Sequence, residues 1–340
     1  MSRILVLSNG HGEDLSGSII ASRLIAIGNK VEALPIVGSG DAYKKDKINI
    51  IGKTRKFNTA GLGYNSLKGK LLDLFNGQII YFFSKIWLIL VIRKKYDYFL
   101  VVGDIVPIFF AWLSRKKYFT YLVAYSSHYT GKLNLPWPCK YFLKSSKAIR
   151  IYTRDTLTSI DLSDQLKKEV LFLGNPFIDK VLKNNFKHSN NFFNIALLPG
   201  SRINELINNF DLMLDIIQEL SKYKFFKKIK FYFAIASDLT MDTVQNKLES
   251  RNWEFEKTYS SEFKLIYFYK SIKVFFKWNS FESILRKSDL AISMSGTAAE
   301  QVVGLSKPVI QVEGKGPQFT RVFAEAQRRL LGQHVYCFTN

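Results

Sequence analysis

Short apolar runs, each closed by a Gly-, Ser- or Asp-bearing turn and followed by a helical pattern, recur along this chain in two series. Buried parallel strands call for such runs, because both faces of a parallel sheet are covered. The first series opens with RILVLS at 3–8, a helix over about 15–27 closed by Gly28, and VEALPIV at 31–37. YFLVVG at 98–103, YFTYLVA at 118–124, AIRIYT at 148–153 and VLFLG at 170–174 continue it. KNNFKHSNN at 183–191 is polar and without periodicity, as a linker is. The pattern then restarts with NIALLPG at 194–200, a helix over 203–220 and KFYFAIA at 230–236. A helix over 241–251, the runs KLIYFYK and KVFFKW and a short helix at 280–287 follow. LAISMSG at 290–296, a helix from 298, PVIQV at 308–312 and a helix over 319–331 complete it. The expectation is an α/β chain of two Rossmann-like domains facing across a cleft, residues 1–182 and 193–340, joined by a linker at 183–192. A length of 340 residues suits two domains of ordinary size.

Charge narrows the partners. Lys+Arg 49 against Asp+Glu 28 gives a net +21, which favours an anionic partner: nucleic acid, an acidic membrane surface or a phosphorylated ligand. A compositional drift toward Lys, Asn, Ile, Phe and Tyr would produce the same excess. The basic residues are scattered and no RNA or DNA module is recognisable, so nucleic acid is not expected. Cys139 and Cys337 form no disulfide framework, and a reducing compartment is the simplest home. The histidines stand at no metal-ligand spacing, and no metal is expected. The amino terminus carries no signal-peptide pattern.

The longest apolar stretch, QIIYFFSKIWLILVI at 78–92, has 15 residues against the roughly 20 that cross a bilayer, and Lys85 interrupts it. It reads either as a buried core helix or as an interfacial one. In the second case Ile79, Tyr81, Phe82, Phe83, Trp87 and Leu88 enter lipid, with Arg93, Lys94 and Lys95 on headgroups. The segment 38–77, rich in Gly, Lys and Asn, reads as a long loop that is either a functional lid or a mobile excursion.

Three strand-to-helix turns and one acid carry the chemistry. The turn Ser8-Asn9-Gly10-His11-Gly12-Glu13-Asp14 leaves open backbone donors at a helix start, where ligands gather in open sheets. It does not satisfy G-x-G-x-x-G, which disfavours a nicotinamide or flavin cofactor. Glu13 and Asp14 are equally the first-turn acids that a helix dipole favours. Gly200-Ser201-Arg202, with Glu205 beyond, offers backbone donors and a guanidinium fork suited to phosphate. Ser295-Gly296-Thr297 offers hydroxyls and amides, and Glu300 could bond a ribose diol or simply cap the helix. Two such turns on one domain suit a single diphosphate. Asp104, after a very apolar strand, is a general base or an N-cap.

Together these residues make the chain resemble the lipid-A-disaccharide synthase family, and more closely its lipid-A-disaccharide-synthase-related members, which are GT-B glycosyltransferases. The carrying stretches are IALLPGSRINE, FLGNPFID and SDLAISMSGTAAEQVVGLSKPVI, with SNGHGEDLSG where the family has a Gly-Glu-rich loop. The resemblance implies an inverting, metal-independent transfer of a hexosamine-type sugar from a UDP-sugar to a lipid or glycolipid acceptor, without a cofactor. It places Ser201, Arg202 and 295–297 on the diphosphate, Glu300 on the ribose, and Asp104 as base, with Glu13 or Asp14 second. Asn9, Gly10, His11 and Gly12 fall on the acceptor side, and the 78–92 helix matches a membrane-docking helix of the family. The implied location is cytoplasmic, peripheral on the inner face of the plasma membrane. GT-B chains close with a helix crossing back to the first domain, and none is visible before Asn340. Rival readings are another glycolipid or muramyl-peptide N-acetylglucosaminyltransferase, a UDP-GlcNAc epimerase, and a non-enzymatic nucleic-acid binder. The first is loosely resembled at 316–319, where Gln318 is a donor-binding candidate.

Overall fold

The computed structural model describes residues 1–55, 78–128, 131–172, 174–181, 192–201, 203–223, 228–256, 265–314 and 321–338. Two compact units divide the chain, Met1–Pro176 and Phe177–Asn340. The second begins ahead of the expected linker because Ile178 belongs to its packing: a methyl group at Gly304 would sit 2.7 Å from Ile178 Cγ1. Most of the linker itself, 183–191, lies outside the described residues.

In the first unit the elements run β1 (Arg3–Asn9), α1 (His11–Ala26), β2 (Lys30–Val37), α2 (Asp41–Lys45), α3 (Gln78–Ile92) and β3 (Tyr98–Val102). Then come α4 (Ile105–Leu113), β4 (Lys117–Leu122), α5 (Cys139–Lys144), β5 (Ala148–Thr153), α6 (Thr156–Leu166) and β6 (Val170–Phe172). The six strands form one parallel sheet in the order β2-β1-β3-β4-β5-β6. Strand order reverses at β1, so the ends of β1 and β3 flank the switch point where open sheets admit ligands. Apolar residues of β1 pack on both sides: Ile4, Leu5, Val6 and Leu7 are all buried. Helices α3 to α6 share one face, as right-handed crossovers in one direction demand, and their core includes Ile89, Ile108, Phe142 and Leu162. Helix α1 starts four residues before its apolar pattern, at His11, with Gly10 as its N-cap.

The second unit opens with α7 (Pro176–Val181), whose first residue closes the first unit, followed by β7 (Phe193–Leu198), α8 (Ile203–Leu220), β8 (Ile229–Ile235), α9 (Met241–Glu249) and β9 (Glu254–Phe255). It continues with β10 (Leu265–Tyr269), β11 (Ile272–Trp278), α10 (Phe281–Lys287), β12 (Leu290–Ser293), α11 (Gly296–Gly304), β13 (Val309–Val312), α12 (Arg321–Leu331) and β14 (Val335–Phe338). Its eight strands run β14-β13-β12-β7-β8-β11-β10-β9, parallel except at β10, which is antiparallel to both neighbours. Here the order reverses at β7, with the switch point between β7 and β12.

Helix α3 decides between its two sequence readings by splitting them. Ile80, Phe83, Trp87, Leu90 and Val91 are exposed along one stripe, while Ile89 and Ile92 enter the core. Tyr81, Phe82 and Leu88, expected in lipid, turn toward the protein. Tyr81 Oη donates to the carbonyl of Ile36 at 2.9 Å, Phe82 stacks on Phe110 at 6.0 Å, and Leu88 packs on the core. Lys85 is buried; its ammonium donates to the carbonyls of Lys53 (2.7 Å) and Pro35 (3.4 Å), and burial lowers its pKa to about 8. The backbone of Ile79 is helical, but its side chain lies outside the described residues. The expected loop at 38–77 begins with α2, and 56–77 also lie outside them.

Candidate functional site

The first unit gathers three carboxylates where β1 and β3 end. Asp104 is the N-cap of α4, and its Oδ1 accepts the N–H of Val106 at 2.9 Å. Asn9, at the end of β1, donates its amide to both Asp104 oxygens, at 3.2 and 3.1 Å. Of its two sequence roles the structure displays the N-cap, and the carboxylate stays at the strand edge. Burial pushes its carboxyl above the ordinary range, against the Val106 and Asn9 hydrogen bonds that pull it down.

Glu13 lies across the same gap. A side chain at Gly10 would come 2.9 Å from its Oε2, and one at Gly103 would come 3.0 Å from its Cγ. Both glycines have positive φ, 132° and 138°, so shape and backbone together exclude larger residues there. Gly12 stands in the first turn of α1; the side chain of His11 is outside the described residues.

Asp14 is different. It is 3% exposed and accepts a hydrogen bond from Ser8 Oγ at 2.6 Å, while Tyr43 Oη donates to the same Ser8 at 2.9 Å. Burial raises its pKa to about 7, aided by nearby Asp41 and opposed by Ser8 and the backbone at Gly10 and Gly40. A carboxyl so enclosed pins the β1 turn and the 38–40 turn to α1. The residue that the sequence offered beside Glu13 as a second candidate base is thus enclosed against Ser8.

In the second unit two turns adjoin at the switch point. The N–H of Met294 donates to the carbonyl of Leu198 at 2.9 Å, and a side chain at Gly200 would lie 3.5 Å from the carbonyl of Met294 and 4.0 Å from Ser295 Cβ. Gly200 holds φ 101° and Ser201 is exposed. Asn209 braces the turn from α8, donating to the carbonyl of Pro199 at 2.9 Å. Ser295 is the N-cap of α11 without bonding the helix through its side chain, and Gly296 and Thr297 open the helix. Glu205 sits half-buried in the first turn of α8. Glu300, one turn into α11, is 4% exposed, so only a ligand lodged against that helix could reach it. Arg202 and Gln318 lie outside the described residues.

No family model matches the sequence, and neither does any curated protein. Solved structures do match. The chain is similar to S. aureus MnaA with UDP, at TM-score 0.58 and 12% identity over 97% of this chain and 88% of that one. MurG of Acinetobacter baumannii gives TM-score 0.55 and 13% identity over 100% and 86%. UDP-GlcNAc 2-epimerase from Neisseria meningitidis, bound to UDP-GlcNAc, gives 0.54 and 13% over 91% and 82%. The fold is GT-B.

Within this GT-B chain the sequence reading missed residues on the first unit's carboxyl edge. Asp155, the N-cap of α6, accepts the N–H (2.7 Å) and Oγ1 (2.8 Å) of Thr158 and Ser126 Oγ (2.9 Å), with His128 Nε2 at 3.7 Å from its Oδ1. Tyr125 Oη accepts the N–H of Ile105, beside Asp104, at 3.1 Å. An acid two residues past the end of a strand was the signal available for Asp155, as for Asp104. The ring of Tyr125 carried none.

Proposed function

We propose that this chain transfers a hexosamine-type sugar from a UDP-sugar to a hydroxyl of a lipid or glycolipid acceptor, as the lipid-A-disaccharide synthases it resembles do. One observation carries the reading: the Gly200 and Met294–Ser295 turns lie side by side at the switch point of the second sheet, an arrangement that suits a single diphosphate. Solved structures of this fold hold UDP or UDP-GlcNAc, which supports the donor.

In the proposed reaction the acceptor oxygen bonds to the anomeric carbon while the bond from that carbon to the β-phosphate oxygen breaks. The bonding pair leaves with UDP, and the hydroxyl proton passes to Asp104. Arg202 and the N-termini of α8 and α11 would meet the charge that develops on UDP. The raised pKa of Asp104 makes its carboxylate a stronger proton acceptor than an exposed one. The reading calls on no metal, and the sequence has no D-x-D motif. A lipid acceptor is supported by the α3 stripe, where Phe83 and Trp87 are 66% and 68% exposed and Arg93, Lys94 and Lys95 follow. That arrangement suits a helix lying at the inner membrane surface.

Arg202→Ala tests the donor site. Loss of a charged hydrogen bond of about 1.5–3 kcal/mol lowers UDP affinity roughly 10- to 150-fold in calorimetry. Unchanged affinity would place the diphosphate elsewhere. The epimerase likeness gives a second reading, in which UDP-GlcNAc is converted with no acceptor present; an epimerised product under those conditions selects it.

A further inference from the structure

The exposed stripe of α3 is not alone on its face of the first unit. Trp137, just before α5, is 92% exposed, and Tyr141 in the first turn of α5 is 65% exposed. Large aromatic rings in water at these levels cost free energy unless something covers them, and Trp and Tyr are the residues that settle at lipid headgroups. Between the two exposed places runs α4, IVPIFFAWL, which has no charged residue. Its Phe109 and Trp112 are only partly buried.

Ring contacts tie the three helices into one layer. Phe82 of α3 stacks on Phe110 of α4, and Trp112 of α4 meets Phe142 and Tyr141 of α5 at 4.9 and 5.8 Å. The charge pattern says what covers this layer. No Asp or Glu occurs between Asp104 and Asp155, while that stretch carries nine Lys and Arg. Lys144 and Lys147 are exposed beside the Tyr141 site, as Lys94 and Lys95 are beside α3. A protein partner would be met through paired charges of both signs; a stretch that carries basic charges alone suits an anionic lipid sheet.

We propose that Trp137 and Tyr141 form a second lipid anchor, which with the α3 stripe holds the α3–α4–α5 layer against an anionic bilayer. The inference deepens the lipid-acceptor reading and rests on it for its purpose, but not for its test. Trp137 precedes the N-terminus of α5 and so stands at the carboxyl edge of the sheet, where Asp104 also lies. A second anchor at that edge keeps the acids near the lipid surface, whereas α3 alone leaves the layer free to tilt.

The experiment uses the full chain and vesicles of phosphatidylcholine with or without about a third phosphatidylglycerol, some carrying brominated acyl chains. Trp137→Phe is expected to remove a distinct part of the bromine quenching, as Trp87→Phe does. Trp137→Ala is expected to weaken binding to the anionic vesicles about tenfold, and Trp137→Ala with Tyr141→Ser further. The single variant touches no other ring, so its melting temperature and UDP affinity stay at the parent values. Unchanged quenching in Trp137→Phe together with unchanged vesicle affinity in Trp137→Ala overturns the second anchor. So does a Trp137→Ala chain that loses oligonucleotide binding and keeps vesicle binding. Failure of the parent to bind UDP overturns the transferase reading and leaves the vesicle result standing.

Discussion

Asn9 and Asp104 join the ends of two adjacent strands: one amide nitrogen lies 3.2 and 3.1 Å from the two oxygens of one carboxylate. Asp104 thereby has its cap role filled by one oxygen, and its orientation set from β1. Asp104→Asn keeps the cap, since Asn and Asp serve that position about equally. We expect its melting temperature to stay near the parent value while kcat for UDP-sugar turnover falls at least about 100-fold. Asp104→Ala should lose the same activity and also about 1 kcal/mol of stability in denaturant titration.

Asp14 sets a pH dependence of folding. Its folded pKa of about 7 stands above the ordinary carboxyl value of 3.8, so the folded state holds this proton more tightly than the unfolded one. Stability from this group is complete below pH 3.8, declines as pH rises, and is gone above about 7. The loss is at most about 4 kcal/mol, on the order of three pKa units. The melting temperature of the parent should fall between about pH 4 and 7 on this account, and Asp14→Asn should flatten that slope. An equal slope in both would assign the dependence to other groups.

Gly17 faces the hydroxyl of Tyr43, and a methyl group there would collide with it. Gly17→Ala should cost about 1–3 kcal/mol by overpacking. Gly17→Ala with Tyr43→Phe should cost less than the two single changes added together, which a double-mutant cycle in urea would show.

The two faces of α3 should answer differently to substitution. Phe82→Ala loses its stack on Phe110 and should destabilise by about 2–3 kcal/mol. Phe83→Ser and Trp87→Ser, both exposed, should change stability by less than about 0.5 kcal/mol yet reduce flotation with anionic vesicles.

Strand-forming runs were legible because a parallel strand buried on both sides must be apolar along its length. AIRIYT is β5 as read, and the helix at 203–220 has the bounds of α8. The turns were legible because glycine and small hydroxyl residues concentrate where strands hand over to helices. What the sequence could not show was rotation. Phe82 and Phe83 look alike in a run of apolar letters, and only packing against Phe110 separates inside from outside. Nor could spacing distinguish Asp14 from Asp104. Both follow strands, but Tyr43 arrives from α2, distant in sequence, to close over Ser8 beside Asp14. His128 was missed for the same reason, since the loop that brings it within 3.7 Å of Asp155 has no local signature.

Lys85 reaches inward from an otherwise uncharged helix to two backbone carbonyls, one at the end of β2 and one at Lys53. Such a lysine works as a key in a slot. Turning α3 by even a fraction of its circumference would pull the ammonium off both oxygens and strand it among apolar groups, so the helix cannot roll to suit whatever it lies upon. Which residues it shows outward is therefore settled within the protein itself.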